Sequence, residues 1–151
     1  MTYRALPKAN IKADLLKYTS QTSVSVGTIF ALNDTIKNTT ATIDSNGYLV
    51  LHNNSSWRVE VNAMCQYSTT NSSYYAEFYW YDGSQNLGTK GRTSNITLTE
   101  IGRSSACLLL PSSSISGTVT VYPRISSVAG GPAYDGTWTV PPHVRILEIP
   151  N

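Results

Sequence analysis

From residue 24 onward, apolar and polar side chains alternate every second position over short stretches, and none sustains a helical period. The clearest case is Trp57, Val59, Val61, Ala63 and Cys65, interleaved with Arg58, Glu60 and Asn62, which predicts a strand with one apolar and one polar face. In residues 74–81, Tyr74, Ala76, Phe78 and Trp80 fall on one side and Tyr75, Glu77, Tyr79 and Tyr81 on the other. Aromatics on both faces predict that the second face meets another sheet or another subunit. Further strands are expected over residues 24–32, 39–43, 48–51, 95–101, 105–110, 118–125 and 143–149. Asn46-Gly47 is read as a hairpin turn with positive φ, Asp82-Gly83 as the next turn, and Pro141-Pro142 as a rigid entry to the last strand.

Residues 1–22 lack this alternation. Arg4, Lys8, Lys12 and Lys17 stand there among Leu6, Ile11, Leu15 and Leu16. They read as an N-terminal arm, extended or folded into about two turns of amphipathic helix over residues 11–18. About nine or ten short strands and no crossover helix predict an all-β, antiparallel sandwich, jelly roll or barrel over residues 23–151.

Composition narrows the function. The chain of 151 residues is 13% charged with a net charge of +2, and it holds 19 Ser and 18 Thr. No basic run is dense enough to follow a phosphate backbone, so nucleic acid is not an expected partner. No apolar run of about 18 residues and no signal-peptide pattern occur, so neither a membrane partner nor Sec export is expected. The Asn-x-Ser/Thr triplets at Asn38, Asn53, Asn54, Asn71 and Asn95 are then read as chance matches in a hydroxyl-rich chain. Tyr (10) and Trp (3) outnumber Phe (2), which suits contact surfaces with one dry and one wet side.

Little in the sequence points to catalysis. His52 and His143 sit in no nucleophile motif, and two His with two Cys, scattered, do not supply a zinc set. Glu60 and Glu77 are the carboxylate pair to inspect for glycoside hydrolysis, although each also reads as the solvated member of an alternating strand. Cys65 and Cys107 read as small buried hydrophobes more than as a disulfide. The chain is expected to be no enzyme and to use no cofactor or metal.

The Gly47-Tyr48-Leu49-Val50 return, the Trp57-Arg58-Val59-Glu60-Val61 strand, Asn86-Leu87-Gly88, Val119-Thr120-Val121-Tyr122 and Val144-Arg145-Ile146-Leu147-Glu148-Ile149 follow one another in a characteristic order. That layout, over roughly residues 24–149, resembles the trimeric jelly roll of the tumour-necrosis-factor family and the complement globular head, in the variant found on bacteriophage virions. The chain departs from the secreted animal members in having no collagen stalk. The resemblance implies a homotrimer with Tyr75, Tyr79, Tyr81, Val121 and Ile146 between protomers. It further implies a virion-surface protein assembled in the bacterial cytoplasm, a capsid decoration or cement protein gripping the major capsid protein through Arg4, Leu6, Lys8, Ile11 and Leu15. The alternative is the receptor-binding tip of a tail or head fibre. Its distal loops, residues 68–73 and 126–135, with Tyr134, Asp135 and Trp138, would then touch host surface glycan.

Overall fold

The computed structural model describes residues 11–17, 25–64, 66–67, 75–94, 103–129, 132–133 and 143–151. Its strands are β1 (Lys12–Lys17), β2 (Thr42–Ile43), β3 (Leu49–His52), β4 (Ser55–Met64), β5 (Gln66–Tyr67), β6 (Tyr75–Tyr81), β7 (Asn86–Ser94), β8 (Arg103–Leu110), β9 (Thr118–Ala129), β10 (Pro132–Ala133) and β11 (His143–Pro150). One sheet has the order β1-β11-β4-β8 and the other β2-β3-β9-β6-β7, all antiparallel, while β5 and β10 form a separate two-stranded ribbon. The chain passes back and forth between the two larger sheets, which pack face to face as a jelly-roll sandwich.

Strand parity decides the core. Val59, Val61, Ala106, Val144, Ile146 and Leu16 point inward from the four-stranded sheet, and they meet Leu49, Leu51, Ala76, Phe78, Trp80, Val121 and Ile125 from the five-stranded one. Phe30 packs edge-on against Phe78, with ring centroids 6.3 Å apart. The Trp80 indole crosses between the layers and donates to the Ala106 carbonyl at 3.1 Å.

A carboxylate also lies inside. Glu148 keeps 1% of its surface, yet every partner it needs is in place. The Thr40 amide donates to it at 2.7 Å, and the Thr40 and Ser55 hydroxyls donate at 2.8 Å each. The Lys12 ammonium stands 3.7 Å away. One side chain thereby ties β1, β4 and β11 to the loop that precedes β2.

One open sequence expectation is decided here and two are corrected. Residues 12–17 are not helical: they form β1, paired with β11 from Lys12 opposite Glu148 to Lys17 opposite His143. Leu16 is fully buried, so this part of the arm belongs to the sandwich. An isolated helix of two turns cannot offset its nucleation cost, whereas the open edge of β11 supplies a full ladder of backbone partners.

Residues 25–32, expected as strand, hold only isolated bridges. A turn at Gly27 (φ 92°) interrupts them, although the Phe30 amide still bonds the Pro123 carbonyl at 3.0 Å. In the β2–β3 hairpin only Gly47 has positive φ (79°), and Asn46 does not. The Asp44 carboxylate accepts from the Asn46 and Tyr48 amides at 2.9 Å each and does the work assigned to Asn46. The expected strand at residues 95–101 lies outside the described residues.

β7 is a strand that the alternation did not show, because a bulge breaks its register. Phe78 faces Gly91 but Trp80 faces Leu87, so β7 carries extra residues against β6. Gly88 (φ 72°) sits in the bulge and leans on the other sheet's edge, where a Cβ would stand 2.1 Å from the Cys107 carbonyl oxygen. The approach is held by the Cys107 amide donating to Thr89 Oγ1 and the Arg92 amide donating to Ser104 Oγ, both at 2.9 Å. Gly88→Ala is expected to cost about 3 kcal/mol, the sum of a left-handed backbone strain and a clash with backbone. Urea unfolding would measure it as a lower midpoint at unchanged slope.

Candidate functional site

The two outer surfaces of the sandwich differ in chemistry. On the five-stranded sheet, β6 buries Ala76, Phe78 and Trp80 and turns Tyr75, Glu77, Tyr79 and Tyr81 outward. β9 behaves likewise, burying Val121 and Ile125 and presenting Tyr122 and Arg124. The register sets Tyr81 opposite Tyr122 and Tyr79 opposite Arg124.

Tyr48 enters from the β2–β3 hairpin and stacks on Tyr122 at 4.1 Å between centroids, and Tyr81 meets Tyr122 edge-on at 5.7 Å. Two guanidiniums lie over rings: Arg124 at 4.5 Å from Tyr81 and Arg92 at 4.1 Å from Tyr75. Each such contact is worth about 0.5–1 kcal/mol at an exposed site. Together they form a platform of interlocked rings with cationic groups held against them.

Its electrostatics are local. Glu77 accepts from Lys90 at 2.9 Å and Arg92 at 3.3 Å, and the hydrogen bond to Glu77 raises the Lys90 pKa. At the rim, burial pushes the Asp82 carboxyl up. The backbone amides of Gln85 and Ser84 and the Ser84 hydroxyl outweigh that and hold it below its ordinary value. Burial, followed by the neighbouring Tyr48 and Tyr81, raises the Tyr122 phenol, which therefore stays a neutral hydroxyl. Arg124 differs from Lys90 and Arg92, since no carboxylate lies within 4 Å of it among the described residues.

The outer surface of the four-stranded sheet is divided. Toward one end the register aligns Cys107, Glu60, Arg145 and Leu15, then Ser105, Asn62, His143 and Lys17. Toward the other it aligns Leu109, Arg58, Leu147 and Ala13. There Ile11, Leu109, Pro111, Leu147 and Ile149 line an apolar groove of about 380 Å3. Leu109 is 66% exposed, Leu15 60%, Ile11 59% and Ile149 40%. A solvated antiparallel face is ordinarily polar, and contiguous exposed aliphatics mark a contact surface.

The structure brings Tyr75, Tyr79 and Tyr81 together on one face and Ile11 and Leu15 on the other. Val121 and Ile146 were expected between protomers, but both are fully buried inside a single chain. Their parity turns them toward the opposing sheet, so they cannot line a subunit interface. Arg4, Leu6, Lys8, Tyr134, Asp135 and Trp138 lie outside the described residues, as does Cys65.

Cys107 is a free thiol, half-buried at an outward position opposite Glu60, and is not the core residue expected. Glu60 and Glu77 are not on neighbouring strands: they stand on opposite outer surfaces of the sandwich, Glu60 beside Arg58 at 3.4 Å. His52 and His143 belong to different sheets. No cluster of three or more potential metal ligands occurs among the described residues.

Sequence reasoning missed Tyr48, Arg92, Tyr122 and Arg124. Extending the alternation of Val119 and Val121 would have turned Tyr122 and Arg124 outward, but no sequence signal set β9 beside β6. No protein-family model matches the chain, and no curated protein matches it.

Proposed function

We propose that this chain is a non-catalytic structural protein of a bacteriophage virion, a homotrimeric capsid decoration protein whose protomers associate through the apolar groove of the four-stranded sheet. The observation that carries the self-association is the exposure of Ile11, Leu109 and Ile149 around that groove. Burying such a surface gains about 25 cal/mol per Å2; Arg58 lies within it between Leu109 and Leu147, paired with Glu60 at 3.4 Å, and Arg145 stands toward the polar end of the sheet. The virion reading is supported by the jelly-roll strand order together with the order of sequence features that resembles phage jelly rolls. Self-association is proposed here and not on the tyrosine face, where Lys90, Arg92 and Arg124 would have to be desolvated.

Light scattering tests the reading. The wild-type chain should weigh three protomers, and Leu109→Asp, at an outward position that leaves the core intact, should reduce it to one. A monomeric wild type overturns the proposal. The anchor is tested by co-sedimentation with undecorated phage capsids, comparing the full chain with a deletion of residues 1–10. Cutting as far as residue 22 would remove β1 and bare the edge of β11. The second reading, a receptor-binding fibre tip, is favoured by the aromatic face of the five-stranded sheet.

A further inference from the structure

We infer that the outer face of the five-stranded sheet is a binding platform for a carboxylate-bearing oligosaccharide, with Tyr48, Tyr81 and Tyr122 beneath a sugar ring and Arg124 as the carboxylate anchor. The inference does not depend on how protomers associate. It rests on three observations.

The first is preorganisation. Tyr48 and Tyr122 are stacked at 4.1 Å and Tyr81 closes on Tyr122 at 5.7 Å, so the rings hold one another. All three are half-buried and keep part of their surface in water. The C–H face of a pyranose packs on such rings while phenolic hydroxyls meet its edge, and little side-chain entropy remains to be lost on binding.

The second is the state of Arg124. Its guanidinium rests 4.5 Å from the Tyr81 ring centroid, and the Gly27 backbone lies close to the same group. Arg92 and Lys90 share the single carboxylate of Glu77, but Arg124 has no carboxylate within 4 Å among the described residues. A planar fork fixed in this way is matched by a carboxylate, which it binds with two parallel hydrogen bonds.

The third is charge distribution. Glu77 lies in the same row of β6 as the tyrosines, and Asp82 stands at the rim with its oxygen engaged by Ser84 and Gln85. The cations of this face are few, and two of them are held by Glu77, too sparse a set to follow a continuous phosphate backbone, whereas a uronate projects one carboxylate per sugar and can meet Arg124 alone. That favours an acidic saccharide over a nucleic acid.

The test is an NMR titration with trigalacturonate, its neutral counterpart galactotriose, and a thymidine oligonucleotide as the competing class. The wild type should bind trigalacturonate at least about tenfold more tightly than galactotriose, with shifts at Tyr48, Tyr81, Tyr122 and Arg124. Arg124→Gln should remove that difference and leave the thermal midpoint near wild type. Tyr81→Ala should weaken both sugars. Leu109→Asp, on the opposite face, should change neither, so a failure of the self-association reading is distinguishable from a failure of this one. Equal affinity for the two sugars, no shift at these residues, or tighter binding of the oligonucleotide overturns the inference.

Discussion

Glu148→Ala is expected to destabilise the fold by about 2–3 kcal/mol, because it strips the acceptor from the buried Ser55 hydroxyl and from the part-buried Thr40 hydrogen bonds and leaves a cavity beneath β1. The Thr40 amide and hydroxyl, the Ser55 hydroxyl and the Lys12 ammonium all converge on this carboxylate, and Ser55 is itself buried. Urea unfolding would show the loss as a lower midpoint. Hydrogen exchange would locate it, with amides of residues 12–17 exchanging faster than those of β4 if β1 is released first.

Glu148 also sets a pH dependence. Burial pushes its carboxyl up, but the hydrogen bonds from Thr40 and Ser55 and the charge of Lys12 outweigh that, and the pKa lies below the ordinary 4.5. A depressed folded-state pKa means that the unfolded chain takes up the proton first. The contribution of Glu148 is therefore complete above the ordinary glutamate range and is lost as pH falls through the lowered folded value. The wild-type midpoint should drop on acidification below about pH 4.5. Glu148→Gln, already less stable at neutral pH, should show a shallower drop over that interval. Parallel pH profiles would sink this account.

Trp80→Ala is expected to cost about 4 kcal/mol, a large share of the stability margin of a domain this size. Trp80 is fully buried, and its indole spans the two layers to reach the Ala106 carbonyl. Trp80→Phe separates the causes: it keeps most of the ring packing and removes the donor. It should cost about half as much, from one lost buried hydrogen bond and a smaller void. Equal losses in both variants, measured by calorimetry, would mean that the hydrogen bond dominates and packing contributes little. No tyrosine of the outer face should behave this way, because each keeps one side in water.

What could be read from the chain alone was the part governed by neighbours in sequence. Alternation at Trp57, Val59 and Val61, and at Ala76, Phe78 and Trp80, gave both strands and their inward faces, since a pleated backbone sends successive side chains to opposite sides whatever it pairs with. Gly47 marked its turn for the same local reason. The all-β class followed from the absence of any long helical period.

Tertiary structure decided whatever depends on partners remote in sequence. Residues 12–17 are strand because β11 offers them an edge, and no local property of Lys12–Lys17 announces that. Leu108, Leu109 and Leu110 are a run of identical residues, and only the opposing sheet determines that Leu108 is buried while Leu109 is 66% exposed. Val121 and Ile146 looked like interface residues until the second sheet closed over them. The candidate site was half legible: β6 carried its tyrosines in plain sequence, but Tyr48, Tyr122, Arg92 and Arg124 join them only through the β3-β9-β6-β7 order. Register between distant strands is chosen by the total burial of two sheets, a collective quantity that no single stretch of sequence contains.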